Sequence, residues 1–336
     1  MLAKRITCCI VAGVLLGLTS RAVPAQSVDR WLQETGLSEK ELAKLASGEP
    51  LVWIPKADDA TEVTLLAVVR IETDPTRLTG MVRDVLGLVE RNDQVMQVGI
   101  FSADPAAADA SSLRLPDGDV KDLGKCRPGS CNLKFPAETL DALQGQGVNS
   151  AEQANQFMAE WLASYLSAYQ QRGREALAVY AEKKEPQSVA EGLDILLRKT
   201  DLLLEYDEDF YTYVRQYPNR ESAGAENLFY WTVEDLSLKP TVFLNHMSIR
   251  GGVGPDMLVV VKQIYASHYM QAGVKVYAVL PVSDTNPSQG VYVMLTQRLR
   301  FDGEVKGIKR SALESGTKKA ANAQLRSFKT YAEAAG

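Results

Sequence analysis

Four apolar segments near the C-terminus, "TVFLNHMSI", "MLVVVKQIYASHY", "VKVYAVLPV" and "GVYVMLTQRLRF", are separated only by "RGGVGPD", "QAG" and "SDTNPSQG". Runs this rich in β-branched and aromatic residues read as strands, and each separator carries the glycine, proline or asparagine that a turn requires. Connections this short return each strand beside the one before it, so the segment predicts an antiparallel sheet. After Gly303 the apolar period becomes helical almost to the C-terminus. Ala312, Gly316, Ala320 and Ala323 then share one face, which predicts that this helix approaches the sheet closely through its small residues.

Upstream, "LSEKELAKLASGEP" reads as a helix opened by a Ser38–Glu41 capping box and ended by Gly48 and Pro50. The segments "LVWIP", "EVTLLAVVRIET", "QVMQVGIFS" and "NLKF" read as strands, while "DPTRLTGMVRDVLGLVE" turns helical with Leu78, Met81, Val82, Val85 and Leu86 on one side. Residues 137–236 read as helical. Ser150 and Gln153 open a helix with Phe157, Met158, Trp161, Leu162, Tyr165, Leu166 and Tyr169 in one stripe; Ser188 and Glu191 open another; "YDEDFYTYVRQYP" is stopped by Pro218.

The first residues have the order of a secretory signal: Lys4 and Arg5, an apolar run from Ile6 to Leu18, then "AVPAQ", with cleavage expected after Ala25. Cys8 and Cys9 lie inside that run and would leave with it. Export is the expectation, to the periplasm or beyond, with no membrane span once residues 1–25 are removed. The division read from the sequence is 1–25 signal, 26–136 the first part of an α+β domain, 137–236 a helical insertion, and 237–336 the strands and long helix that complete the domain. Net charge is −5 with no basic block, which excludes a nucleic-acid partner. "CRPGSC" sets Cys126 and Cys131 across a Pro-Gly turn, and an oxidising compartment makes them a hairpin disulfide rather than a zinc or redox pair.

Strand, helix, further strands, then an antiparallel run capped by a long helix resembles the START-like, or helix-grip, architecture, with the helical middle as an addition. The resemblance implies a cavity between sheet and final helix; it is one of element order, and no functional residue is carried over. "DGDVKDLGKCRPGSCNLKF", "FYW" with "LKP", "KQIYASHY" and "RLRFDGEVKG" also resemble segments of a family of exported bacterial proteins. That likeness implies export and one composite domain, and no chemistry.

The candidate site residues gather around "KQIYASHY". As a strand, period two sets Lys262, Ile264, Ala266, His268 and Met270 on one side and Val261, Gln263, Tyr265, Ser267 and Tyr269 on the other. Both sides are mixed, which suits a cavity wall with a few polar groups. His246 alternates with Val242, Leu244 and Ser248 on the preceding strand and approaches His268 in some registers; a metal would need further ligands, for which Asp256 and Asp302 are the nearest guesses. The alternative for either histidine is a buried, hydrogen-bonded core role. Arg298, Arg300 and Asp302 share a face, where they form either a solvated edge or an anchor for a carboxylate or phosphate, with Tyr265, Tyr269 and Tyr292 as walls. No G-x-S-x-G elbow and no phosphate-binding glycine motif occurs. The sequence therefore predicts an exported α+β protein carrying a hydrophobic small molecule or lipid, with no cofactor. Its rivals are a ligand-free envelope scaffold that docks a protein partner through the helical middle, and a hydrolase or isomerase built on His268.

Overall fold

The computed structural model describes residues 37–182, 185–236, 239–251, 257–282 and 289–334. The expected signal over 1–25, Cys8, Cys9, Asp256 and most of two turn segments lie outside the described residues.

An eight-stranded antiparallel sheet organises the chain. Its strands are β1 (Leu51–Trp53), β2 (Glu62–Ile71), β3 (Val95–Ile100), β6 (Ala225–Glu234), β7 (Thr241–Gly251), β8 (Met257–Ala266), β9 (Met270–Pro281) and β10 (Val291–Phe301). Their order is β1-β2-β10-β9-β8-β7-β6-β3. The strands β4 (Val179–Tyr180) and β5 (Gln187–Ser188) form a separate short ribbon. The expected α+β class, with a large antiparallel sheet and a long C-terminal helix, is what the chain forms. The element reading changes in places: Ala225–Glu234 and the short β4 and β5, read as helical within 137–236, are strands, and "NLKF", read as a strand, is an irregular segment.

Both faces of the sheet are covered. One carries α4 (Asp117–Leu123), α5 (Ala137–Gln146), α6 (Ala151–Arg172), α7 (Val189–Arg198), α8 (Asp201–Tyr206) and α9 (Glu208–Gln216). The opposite face carries α2 (Pro75–Arg83), α3 (Val85–Val89) and the 28-residue α10 (Gly307–Ala334). The remaining helix, α1 (Glu39–Ala46), is fixed by the Ser38–Glu41 capping box. Two-sided coverage explains why the strands lack clean alternation: all ten residues of β8 are buried. It also accounts for the aromatic stripe of α6, where Met158, Leu162, Tyr165, Leu166 and Tyr169 are spent in the core between helices and sheet, with Phe157 and Trp161 packed against it.

The helix α10 runs alongside β2. Arg310 donates to Glu62 O at 2.9 Å near one end, and Lys329 donates to Arg70 O at 3.2 Å near the other. Its inward face is Ala321, Leu325 and Ala332 with Phe328 and Tyr331. The small-residue face expected to approach the sheet does not: Ala312, Gly316 and Ala323 are exposed, and Ala320 is half-buried. The large side chains decide the rotation, because more apolar area leaves water when Leu325 and Phe328 face inward.

Candidate functional site

Between the sheet and its α2, α3 and α10 cover lies a cavity of about 120 Å³. Val82, Val85, Leu88 and Val89 line it from the helices α2 and α3, Leu325 and Phe328 from α10, and Met247, Val259, Val261, Val279, Val293 and Leu295 from the strands. Polar groups enter at few points: Lys275 and Tyr277 on β9, Tyr230 and Glu234 on β6, and Arg91, Asn92 and Gln324. The Arg91 guanidinium lies 3.7 Å from the centre of the Tyr331 ring, joining the segment after α3 to α10. The Glu234 carboxylate accepts the Thr232 hydroxyl at 2.7 Å. Burial pushes the Tyr277 phenol up, against the pull of Lys275 and with the field of Glu234; burial likewise pushes Tyr230 up, reinforced by Tyr277 and Glu234. Mostly apolar walls with a few convergent polar groups are the usual make-up of a small-molecule site.

None of the eight ligand-binding candidates read from the sequence lines this cavity. Four of them, Tyr265, His268, Tyr269 and Asp302, are drawn into polar and aromatic clusters around the irregular end of β8. The register between β7 and β8 shifts after Leu244: Leu244 faces Tyr265 and Asn245 faces Gln263, leaving Ile264 as an extra residue. A bulge of this kind resets the alternation. Ile264 and Tyr265 therefore both enter the core under the helical layer, and the period-two assignment fails beyond Gln263. Tyr265 packs among Phe135, Trp161, Tyr165 and Tyr180, with ring centroids 4.6–6.4 Å away. The turn also lies earlier than expected: Ser267–Tyr269 form it, Tyr269 has φ 59°, and "QAG" falls inside β9. Gln263 packs over Gly273 there: a Cβ would stand 1.9 Å from Gln263 Oε1, and the Gln263 side chain would have to move to admit one.

His268 is clamped in that turn. Its Nδ1 lies 2.9 Å from Asn132 O and its Nε2 2.9 Å from Asp119 Oδ2. Both neighbours are acceptors for a ring N–H. Lys239 reaches Asp119 at 3.3 Å and Asp122 at 3.0 Å, and its backbone N–H donates to the Tyr269 hydroxyl at 3.2 Å. This cluster ties the β8–β9 turn to α4 and to the loop closed by the Cys126–Cys131 disulfide. Asp302 is engaged with the buried Lys134 at 2.9 Å, which also meets Glu182 at 3.0 Å. Arg298 donates to Thr64 Oγ1 at 3.1 Å, Arg300 is held by Asp59 and Glu62 at 2.8 Å each, and Tyr292 packs against the larger core.

The two histidines do not meet. His246 is opposite Lys262, while the backbone beside His268 bonds to Val242, four residues back along β7 and so roughly 13 Å away at strand rise. His246 is buried as a neutral ring: the Tyr169 hydroxyl donates to Nδ1 at 2.9 Å and Nε2 donates to Asn227 Oδ1 at 2.8 Å. Burial pulls its pKa well down, and Lys262 acts in the same direction. Lys262 lines a second cleft of about 30 Å³ with Tyr169, Val214 and Tyr217, and donates to Val214 O at 2.8 Å. Burial lowers its pKa to about 7.

The residues that do line the large cavity left one trace in the sequence. Lys275 and Tyr277 interrupt "VKVYAVLPV" at the period-two positions that continue to Val279. Among the described residues, no cluster of three or more histidine, cysteine and acidic side chains is arranged to hold a metal, and no helix is long and apolar enough to cross a membrane. No protein-family model matches the chain, and no curated protein was found to resemble it.

Proposed function

We propose that this is an exported protein that binds a small hydrophobic molecule between its sheet and C-terminal helix. The observation that carries the reading is the cavity of about 120 Å³, walled mostly by apolar side chains, between the sheet and the helices that cover it. The aliphatic and aromatic side chains of its walls favour a hydrocarbon guest, because the guest's apolar area leaves water on entry. The Cys126–Cys131 disulfide supports an oxidising compartment. In this reading the sheet and α10 act as in a helix-grip fold, and the helical layer is an addition that braces the opposite face.

Volume narrows the guest. An engineered cavity of about 150 Å³ takes up benzene, whereas drug-sized ligands occupy roughly 300–1,000 Å³. A single ring or a short branched chain fits the cavity as it stands, and a lipid chain requires α10 to move outward. Native mass spectrometry of the purified protein, lipid extraction, and thermal shifts with guests from toluene to long-chain acyl compounds test the proposal. The expected result is a raised melting temperature with ring-sized guests, abolished in Val293→Trp, whose indole fills the space. Repeated recovery of an empty protein that no member of the panel stabilises sinks it.

A further inference from the structure

The polar groups of the cavity are unequal in a way that describes the guest further. This step rests on the cavity being a binding site. Lys275 stands on β9 between Val261 of β8 and Gln297 of β10, so its strand neighbours offer no carboxylate. No described residue forms an ion pair with it, and neither the Tyr230 nor the Tyr277 hydroxyl is hydrogen-bonded to a described residue. Glu234, the acid in the wall, already accepts the Thr232 hydroxyl, and Arg91 is held at the Tyr331 ring. Among the described residues the wall thus carries two cations, Lys275 and Arg91, neither in an ion pair, against the single carboxylate of Glu234, an excess of one positive charge. A half-buried ammonium is strongly favoured by a charged acceptor, and a carboxylate has room for several donors at once.

We infer that the guest is a small apolar acid, a single-ring or short branched-chain carboxylate, whose carboxylate is held by Lys275 with the Tyr230 and Tyr277 hydroxyls while its hydrocarbon part lies against Val85, Val293, Leu325 and Phe328. Lys275 is the specificity-determining residue; the apolar walls bind neutral and acidic guests alike.

Calorimetric titration of the purified protein with benzoate, benzyl alcohol and toluene tests this, with Lys275→Met, Lys275→Gln and Tyr277→Phe variants whose folding is checked by circular dichroism. Benzoate should bind at least tenfold more tightly than benzyl alcohol. Either lysine variant should erase that preference while leaving the affinity for benzyl alcohol within about twofold, and Tyr277→Phe should reduce it in part. Equal or tighter binding of benzyl alcohol, or a benzoate affinity unchanged in both lysine variants, overturns the assignment of an acid while the cavity reading stands. Failure of all three probes to bind overturns this inference, and failure of the whole series from toluene to long-chain acyl compounds overturns the cavity reading with it.

Discussion

Lys262 ends in a nitrogen with one acceptor, Val214 O, and the rings of Tyr169 and Tyr217 on either side, each 5.6 Å from the nitrogen. In the unfolded chain a lysine keeps its proton to about pH 10.4, whereas burial brings Lys262 to about 7 in the folded protein. Between those values the unfolded state binds more protons, so this group makes stability rise with pH; below about 7 both states are protonated and its slope vanishes. Lys262→Met should remove the rise and gain about 1–4 kcal/mol over the parent near pH 7, narrowing toward pH 10. Urea melts at pH 7, 8.5 and 10 measure this, and parallel pH dependences for the two proteins refute it. His268 behaves oppositely, because its removal strands a partner. His268→Ala leaves Asp119, 1% exposed, with Lys239 alone, and should cost about 3 kcal/mol. Guest affinity should be unchanged, since the clamp lies outside the cavity; a lowered affinity with a normal melt contradicts that separation.

At the scale of elements, α10 offers two opposed substitutions. A Cβ at Gly316 meets nothing within 4 Å, so Gly316→Ala should stabilise the protein by about 0.5–1 kcal/mol. Leu325→Ala removes a 3%-exposed anchor from the cavity wall and should cost about 2–5 kcal/mol while shifting guest preference to larger molecules. Thermal melts of the two variants, with the guest series for the second, check both. The helix itself was legible in the sequence and its facing was not. Local periodicity marks which residues share a side, but the rotation is chosen by the partner surface, here the β2 and β10 side chains that receive Leu325 and Phe328. The same limit applies to β8. Its existence could be read from "MLVVVKQIYA", while the bulge at Ile264 depends on pairing with β7 and moved Tyr265 to the side opposite that expected. Caps at Ser38, Ser150 and Ser188 were readable because they depend on residues three apart. Lys275 and Tyr277 escaped notice because a polar residue in a strand looks like an exposed one until a second layer is known to cover it.

At the scale of the whole molecule, the sheet joins distant parts of the chain. β2 pairs with β10 along ten residue pairs, and β3, next after β2 in sequence, pairs instead with β6 at the far edge. A chain cut after Pro281 loses the strand between β2 and β9 and the helix over the cavity. It should show no cooperative melt by circular dichroism and should be digested rapidly by protease; a protected, cooperatively melting fragment would contradict the dependence. The disulfide, by contrast, closes a loop of only a few residues, so Cys126→Ser with Cys131→Ser should cost no more than about 2 kcal/mol and leave the sheet intact by the same measurements.

The position of β10 between β2 and β9 also sets a schedule. A ribosome delivers the strand that unites the two ends of the sheet long after β2, so β2 must wait with its edge open while more than two hundred residues emerge behind it. Whatever keeps that edge from pairing with a neighbouring chain during the delay is as much a requirement of this topology as the core that finally closes over it.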